Sequence, residues 1–283
     1  MTYNIITDAV LMKKPLLVGK MGNTEYNQIS RWYNAEKGAR WYSVDITLCR
    51  FAGVCPATIG TINNFATVFI DTVREIDLHF RWHLSMHVDH KVDSILFPKN
   101  QVVLPNIMSL DPWFFTKAYS ESFAGKTVLV VSNHAAFIRQ QYEQNRTCIF
   151  KGRNDILPPF ILKTVATPLP PNPADSSLLL NDTTYIWPTW QETLESIKLK
   201  VLQQGHYDIM LIAAGSFSIP VAAEAKHNGK VAIHLGGTMN PFFGLYSGRY
   251  DSRLYYKKLI YTDCFMKMPK PVEAKHIENS AYW

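Results

Sequence analysis

Tyr207 to Gly237, YDIMLIAAGSFSIPVAAEAKHNGKVAIHLGG, is the stretch whose reading decides the fold. Asp208 to Ala213 (DIMLIA) is a short apolar run of strand length. Gly215 breaks it, Ile219 to His227 reads as a helix, and Asn228-Gly229 stops that helix. Lys230 to His234 (KVAIH) is a second strand. Strand, turn, helix, turn and strand within about 30 residues make a βαβ unit. A crossover of this kind joins parallel neighbours in a sheet covered by helices.

The same alternation continues outward. Thr127 to Val131 (TVLVV) is a β-branched apolar run, as expected of a strand buried on both faces, and Ala135 to Gln144 reads as the helix after it. Leu16-Leu17-Val18 reads as a strand and Thr24 to Tyr33 as its following helix. Thr58 to His90 reads as largely helical, with Phe65, Phe69 and Val73 on one face. Trp190 to Gln203 is a further helix, ending near Gly205. Pro168 to Asp182 holds four prolines and reads as a long surface loop, because the pattern resumes after it without a shift in composition. The fold expected is α/β: one Rossmann-like domain over residues 1–283, with a mostly parallel sheet flanked by helices.

At 283 residues the chain can bury a large core without metal or disulfide staples. A hydrophobic fraction of 47% against 18% charged residues excludes the disordered class. The net charge of +6 favours an anionic ligand. The basic residues are scattered, and no RGG segment, zinc knuckle or helix-turn-helix pattern occurs, so nucleic acid is not an expected partner. No run approaches the roughly 18 apolar residues of a membrane helix, and the short run ending at Val18 is too brief for a signal peptide. Cys49, Cys55, Cys148 and Cys264 form no CxxC pair, which suggests neither a zinc cage nor a disulfide scaffold. The expectation is a soluble protein in a reducing, cytoplasmic compartment.

Ligands of open parallel sheets bind beyond the carboxyl ends of the strands, so the strand-to-helix junctions carry the candidate chemistry. At the first, Lys20-Met21-Gly22-Asn23-Thr24-Glu25, glycine permits close approach and Glu25 falls in the first helical turn. Glu25 there serves either function or the helix dipole. Ser132-Asn133-His134 follows a buried strand, with Arg139 further along the helix; a plain helix cap is the competing reading. Gly215-Ser216-Phe217-Ser218 offers free N–H groups and two hydroxyls to a phosphate, or is an ordinary βα turn. The last junction holds His234, Gly236-Gly237 and Asn240, followed by Arg249 and Asp251. Arg249 is a candidate phosphate clamp, or a surface partner of Asp251. His79, His83 and His87 are spaced four apart, with His90, Asp89 and Asp93 nearby. Without an HExxH motif they read as a polar helix face rather than a metal site.

Taken together, GKTVLVVSNHAAFIRQQYEQNR (Gly125 to Arg146), LPPF (Leu157 to Phe160) and the Tyr207 to Gly237 stretch resemble proteins related to glycosyltransferases of the D-type fold (GT-D). LLVGKMGNTE resembles the N-terminal motif of that group, a strand followed by Arg-x-Gly-Asp-x-Glu. The resemblance runs from about Leu16 to Asp251. It extends to members encoded by large algal viruses, where such enzymes build capsid glycans. It implies transfer of a sugar from a nucleoside diphosphate, usually UDP and with UDP-xylose as one donor, to a glycan or glycoprotein acceptor. It also implies a divalent metal, Mn2+ or Mg2+, held by the Asp-x-Glu pair. Here that pair reads Asn23-Thr24-Glu25 and Lys20 stands for the arginine, so the metal rests on Glu25 with an amide, a poorer ligand for a hard cation.

The expected donor site then comprises Lys20, Gly22, Asn23, Arg139, Gly215, Ser216, Phe217, His234, Gly236, Gly237, Asn240 and Arg249. Glu25 is the first expectation for the acceptor's base, followed by His134 or Asp251. The loop Pro168 to Asp182 is the expected acceptor-side lid. A dehydrogenase is disfavoured by the absence of GxGxxG, and a kinase by the absence of GxxxxGK[ST]. A binding module without chemistry is kept open by Asn23.

Overall fold

The apolar runs become the central strands of a seven-stranded sheet, ordered β3-β2-β1-β7-β6-β4-β5, in which every pairing is parallel. The strands are β1 (Leu16–Lys20), β2 (Leu78–Phe80), β3 (Val102–Leu104), β4 (Thr127–Ser132), β5 (Ile161–Ala166), β6 (Ile209–Ala213) and β7 (Val231–His234). A computed structural model describes residues 2–36, 46–80, 90–97, 102–104, 110–169, 188–251, 254, 256, 260–271, 274 and 280–283. Helix α1 (Thr2–Leu11) precedes β1, and crossing between strands are α2 (Asn23–Glu36), α3 (Ile46–Ala52), α4 (Ile59–Val73), α5 (His90–Leu96), α6 (Ala135–Ile149), α7 (Trp190–Leu202) and α8 (Ser218–His227). After β7 come the short helices α9 (Met239–Phe242) and α10 (Gly248–Asp251). The expected βαβ unit is β6-α8-β7, with Ile209 paired to Val231 and Ile212 to His234.

Strand residues divide by parity between two apolar layers, because successive side chains point to opposite faces. Leu17, Leu129, Val131, Met210, Ile212 and Ala232 pack with α2, α3, α4, α5, α7 and α8. Val18, Val128, Val130, Ile209, Leu211 and Ile233 pack with α1, α6 and α9 on the other side. Both faces are covered, which is why these strands read as unbroken apolar runs. Gly19 lets α8 sit close against β1: a Cβ there would lie 2.8 Å from the Ile219 Cδ1.

Helix α4 starts at an N-cap, Thr58, whose hydroxyl accepts from the Thr61 N–H. It buries Ile62, Phe65, Ala66, Phe69, Ile70 and Val73, and then stops. The helix expected over Thr58 to His90 is therefore wrong from Arg74 to Phe80, and residues 81–89 lie outside the described residues. Asp77 accepts from the Leu17 N–H at 2.8 Å and from the Lys226 ammonium at 2.8 Å, and β2 begins at the next residue. His79 is a buried strand residue packed against the Phe97 ring, not part of a helical histidine face. His83, His87 and Asp89 lie outside the described residues, and Asp93 accepts from the Tyr26 hydroxyl.

The cysteine expectation is also corrected. Cys49 is disulfide-bonded to Cys55, and Cys148 to Cys264, with Cα separations of 4.8 and 5.9 Å. The second bond joins the end of α6 to a segment 116 residues away, which no local spacing could announce. Among the described residues, no helix is long and apolar enough to cross a membrane.

Candidate functional site

Strands β1, β7, β6, β4 and β5 are consecutive in the sheet, and a cavity of about 380 Å³ opens at their carboxyl ends. Lys20, His234, Ala213, Ser132 and Thr167 bring one strand end each to its wall. That is where an open parallel sheet binds its ligands, and the volume suits a small organic molecule.

Lys20 is the last residue of β1 and only 6% exposed. Burial pushes its ammonium down to about 7; the Asp111 carboxylate works against this, the Arg249 guanidinium with it, and Glu25 again against it. Asp111 is itself buried, accepting from the Thr238 hydroxyl at 2.7 Å and the Tyr256 hydroxyl at 2.8 Å. Two carboxylates thus partly offset the burial of the Lys20 ammonium.

Two cations flank the glycine pair after β7. Gly236 has φ +54, and a Cβ on it would lie 2.9 Å from the Lys20 Nζ. A Cβ on Gly237 would lie 3.3 Å from an Arg249 guanidinium nitrogen. Arg249 also donates to the Tyr282 hydroxyl at 3.1 Å and lies over the Tyr282 ring.

Two histidines line the same cavity. The His234 Nδ1 donates to the Lys20 carbonyl at 3.1 Å; burial, then the Lys20 charge, push this imidazole down to about 3. His134, just after β4, has its Nδ1 at 3.0 Å from the Asn240 Oδ1, and burial holds its pKa below the ordinary value. Both rings are neutral near pH 7. Glu25, in the first turn of α2, folds its carboxylate over Gly22, where any Cβ would collide with it.

The structure brings Lys20, Gly22, Asn23, Glu25, His134, Gly215, Phe217, His234, Gly236, Gly237, Asn240 and Arg249 to one cavity. It does not bring Arg139, which points away on α6 and donates to the Thr164 hydroxyl at 2.6 Å. Nor does it bring Ser216, which is fully buried, donates to the Ala52 carbonyl and accepts from the Trp190 indole. The Ser218 hydroxyl is likewise taken, by the Ala214 N–H. Asp251 ends α10, and its side chain lies outside what the structure describes. Of the expected lid, Pro168 and Leu169 line the cavity and residues 170–182 lie outside the described residues.

Three wall segments escaped the sequence reading. Phe51-Ala52-Gly53 closes one side, enclosed by the Cys49–Cys55 disulfide, and Thr167 and Tyr282 close others. A pair of cysteines six apart bracketing an aromatic and a glycine was the available signal for the first. Tyr282 had none.

At the Asn23-Thr24-Glu25 turn a divalent cation would find one carboxylate, Glu25, and one amide, Asn23, which is exposed on the cavity wall. Among the described residues, no three His, Cys, Asp or Glu side chains converge to hold a metal ion. The donor set fits Mn2+ or Mg2+ only if a bound diphosphate and water supply the remaining oxygens. In that case the cation would add charge to a site that already holds Lys20 and Arg249. No protein-family model, curated protein or solved structure matches this chain.

Proposed function

We propose that the chain is a glycosyltransferase, moving a sugar from a nucleoside diphosphate, a UDP-sugar first among the candidates, to a hydroxyl of a glycan or glycoprotein. The observation that carries this reading is the convergence of Lys20 and Arg249 on the Gly236-Gly237 backbone. Two cations about a glycine pair, where backbone can approach closely, match the charge and shape of a diphosphate.

When the bond from C1 to the diphosphate breaks, negative charge grows on the leaving phosphate. Lys20 and Arg249, fixed in a mostly buried site, stabilise that charge without reorganising. The acceptor hydroxyl must lose its proton as it attacks. His134 suits this better than His234, whose pKa of about 3 makes it too weak a base. It also suits it better than Glu25, whose carboxylate belongs to the charge balance of Lys20. The cytoplasmic assignment loses the support it drew from cysteine spacing, since all four cysteines are paired; counting thiols in freshly isolated protein decides it.

The test is a thermal-shift panel of UDP, GDP, CMP and NAD, followed by assays of UDP release from UDP-sugars. Stabilisation by UDP and sugar-dependent release are expected. Binding of UDP without turnover of any UDP-sugar would leave a binding module, and stabilisation by NAD alone would favour a dehydrogenase.

A further inference from the structure

Asn240 is expected from its position to touch the donor, yet both ends of its amide are engaged within the protein. The side chain is 3% exposed. Its Nδ2 donates to the Tyr282 carbonyl at 2.9 Å, and its Oδ1 lies 3.0 Å from the His134 Nδ1. A backbone carbonyl only accepts, so the NH2 end must face Tyr282 and the oxygen must face the imidazole. An amide oxygen also only accepts, so the hydrogen sits on Nδ1 and the lone pair on Nε2. Asn133 agrees, because its Nδ2 approaches the His134 Nε2 at 3.4 Å, a donor facing an acceptor. That contact is long and weak enough for a substrate hydroxyl to replace it. The ring is steadied by the edge of Trp283, with centroids 5.1 Å apart, and its backbone N–H donates to the Ser132 hydroxyl.

We infer that Asn240 is a positioning residue, which locks His134 in the Nδ1–H tautomer and so presents Nε2 as the base toward the acceptor hydroxyl. The chemistry of this inference rests on the transferase reading; the tautomer does not. In the step itself the acceptor oxygen bonds C1 of the sugar and its proton passes to Nε2. The C1–O bond breaks with its electron pair going to the nucleoside diphosphate, and the imidazolium returns the proton to water. Asn240 accepts from Nδ1–H before and after, so the ring does not turn. The charged and titratable groups sharing the cavity with the ring are Lys20, Glu25, His234, Arg249 and Tyr282.

The experiment is 15N NMR of histidine-labelled full-length protein, with His134 assigned by the signals lost in His134→Gln. A neutral ring with hydrogen on Nδ1 is expected at pH 7.5. Asn240→Leu should move the hydrogen toward Nε2, and Asn240→Asp should keep it on Nδ1 while raising the pKa of His134 by about one unit or more. In turnover, Asn240→Leu should lower kcat on the order of 100-fold with little change in donor KM. Asn240→Asp should recover much of that rate, with the acid limb of its pH profile shifted upward. An Nε2–H ring in the unaltered protein overturns the inference, as does an Asn240→Leu variant that keeps both tautomer and kcat. Should Asn240→Leu fail to fold, the near-isosteric Asn240→Asp still decides through its titration. The expected tautomers without turnover of any UDP-sugar would sink the transferase reading and leave the positioning role of Asn240 standing.

Discussion

Two glycine turns follow consecutive strands and look alike: Gly215 after β6 and Gly236 after β7. Both take positive φ, +55 and +54, and both open a single turn of 3-10 helix. Their surroundings differ. A Cβ on Gly215 would lie 2.9 Å from the Ala52 backbone oxygen, whereas one on Gly236 would meet the end of the Lys20 side chain. The hydroxyl beside Gly215, on Ser216, is tied to Ala52 and Trp190. A glycine at a strand end therefore reports only that something comes close. At Gly215 the approaching group is the protein's own cavity wall; at Gly236 it is a buried cation with room beside it for a ligand.

The strongest challenge to this contrast is to remove the cations. Lys20→Met and Arg249→Met should each weaken UDP binding by about 10- to 100-fold, the range of one charge-assisted hydrogen bond. Calorimetric titration checks it, and undiminished affinity in both variants would make the second turn no more ligand-facing than the first. Next come the glycines themselves. Gly215→Ala and Gly236→Ala both place a side chain in the left-handed region, at a cost of about 1–2 kcal/mol. Gly215→Ala should lose more stability, because a backbone carbonyl cannot step aside as a lysine terminus can. Gly236→Ala should lose more UDP affinity. Denaturation and titration of the pair would break the comparison if both variants fell equally on both measures.

A smaller effect follows from pH. The Lys20 charge is present below its pKa of about 7 and fades above it. UDP affinity should fall with rising pH through that value, by up to about tenfold per unit, while Lys20→Met stays flat. Stability has the opposite sign. The folded pKa lies below the unfolded one, so the unfolded chain holds more protons between them. Lys20 therefore adds stability as pH rises from about 7 toward the unfolded value near 10.4. Parallel slopes of affinity and stability would contradict a buried cation that serves binding. Smallest of all, adding or chelating manganese should change UDP affinity less than either cation substitution does, given one carboxylate and one amide.

The central half of the fold was legible because burial on both faces leaves a strong mark. Val128 to Val131 and Ile209 to Ile212 alternate between two apolar layers and so appear as solid apolar runs. The three-residue β2 gave no such mark, and the apolar face of α4 ran into it without an evident break. At the site, strand-end logic found Lys20, His134, Gly236 and Gly237, since each lies at a strand end or within three residues of one. It missed Phe51 to Gly53 and Tyr282, which come from elsewhere in the chain and meet the site only through packing. It also misjudged Ser216 and Arg139, because a sequence names a polar group without saying which neighbour will engage it first.

The bond between Cys148 and Cys264 closes a covalent ring that contains β5, β6 and β7, three of the five strands bordering the cavity. A peptide bond cut anywhere between those cysteines opens the ring without dividing the molecule. A protein nicked there, for example within residues 170–187, would remain one covalent species until a reductant separated it into two pieces.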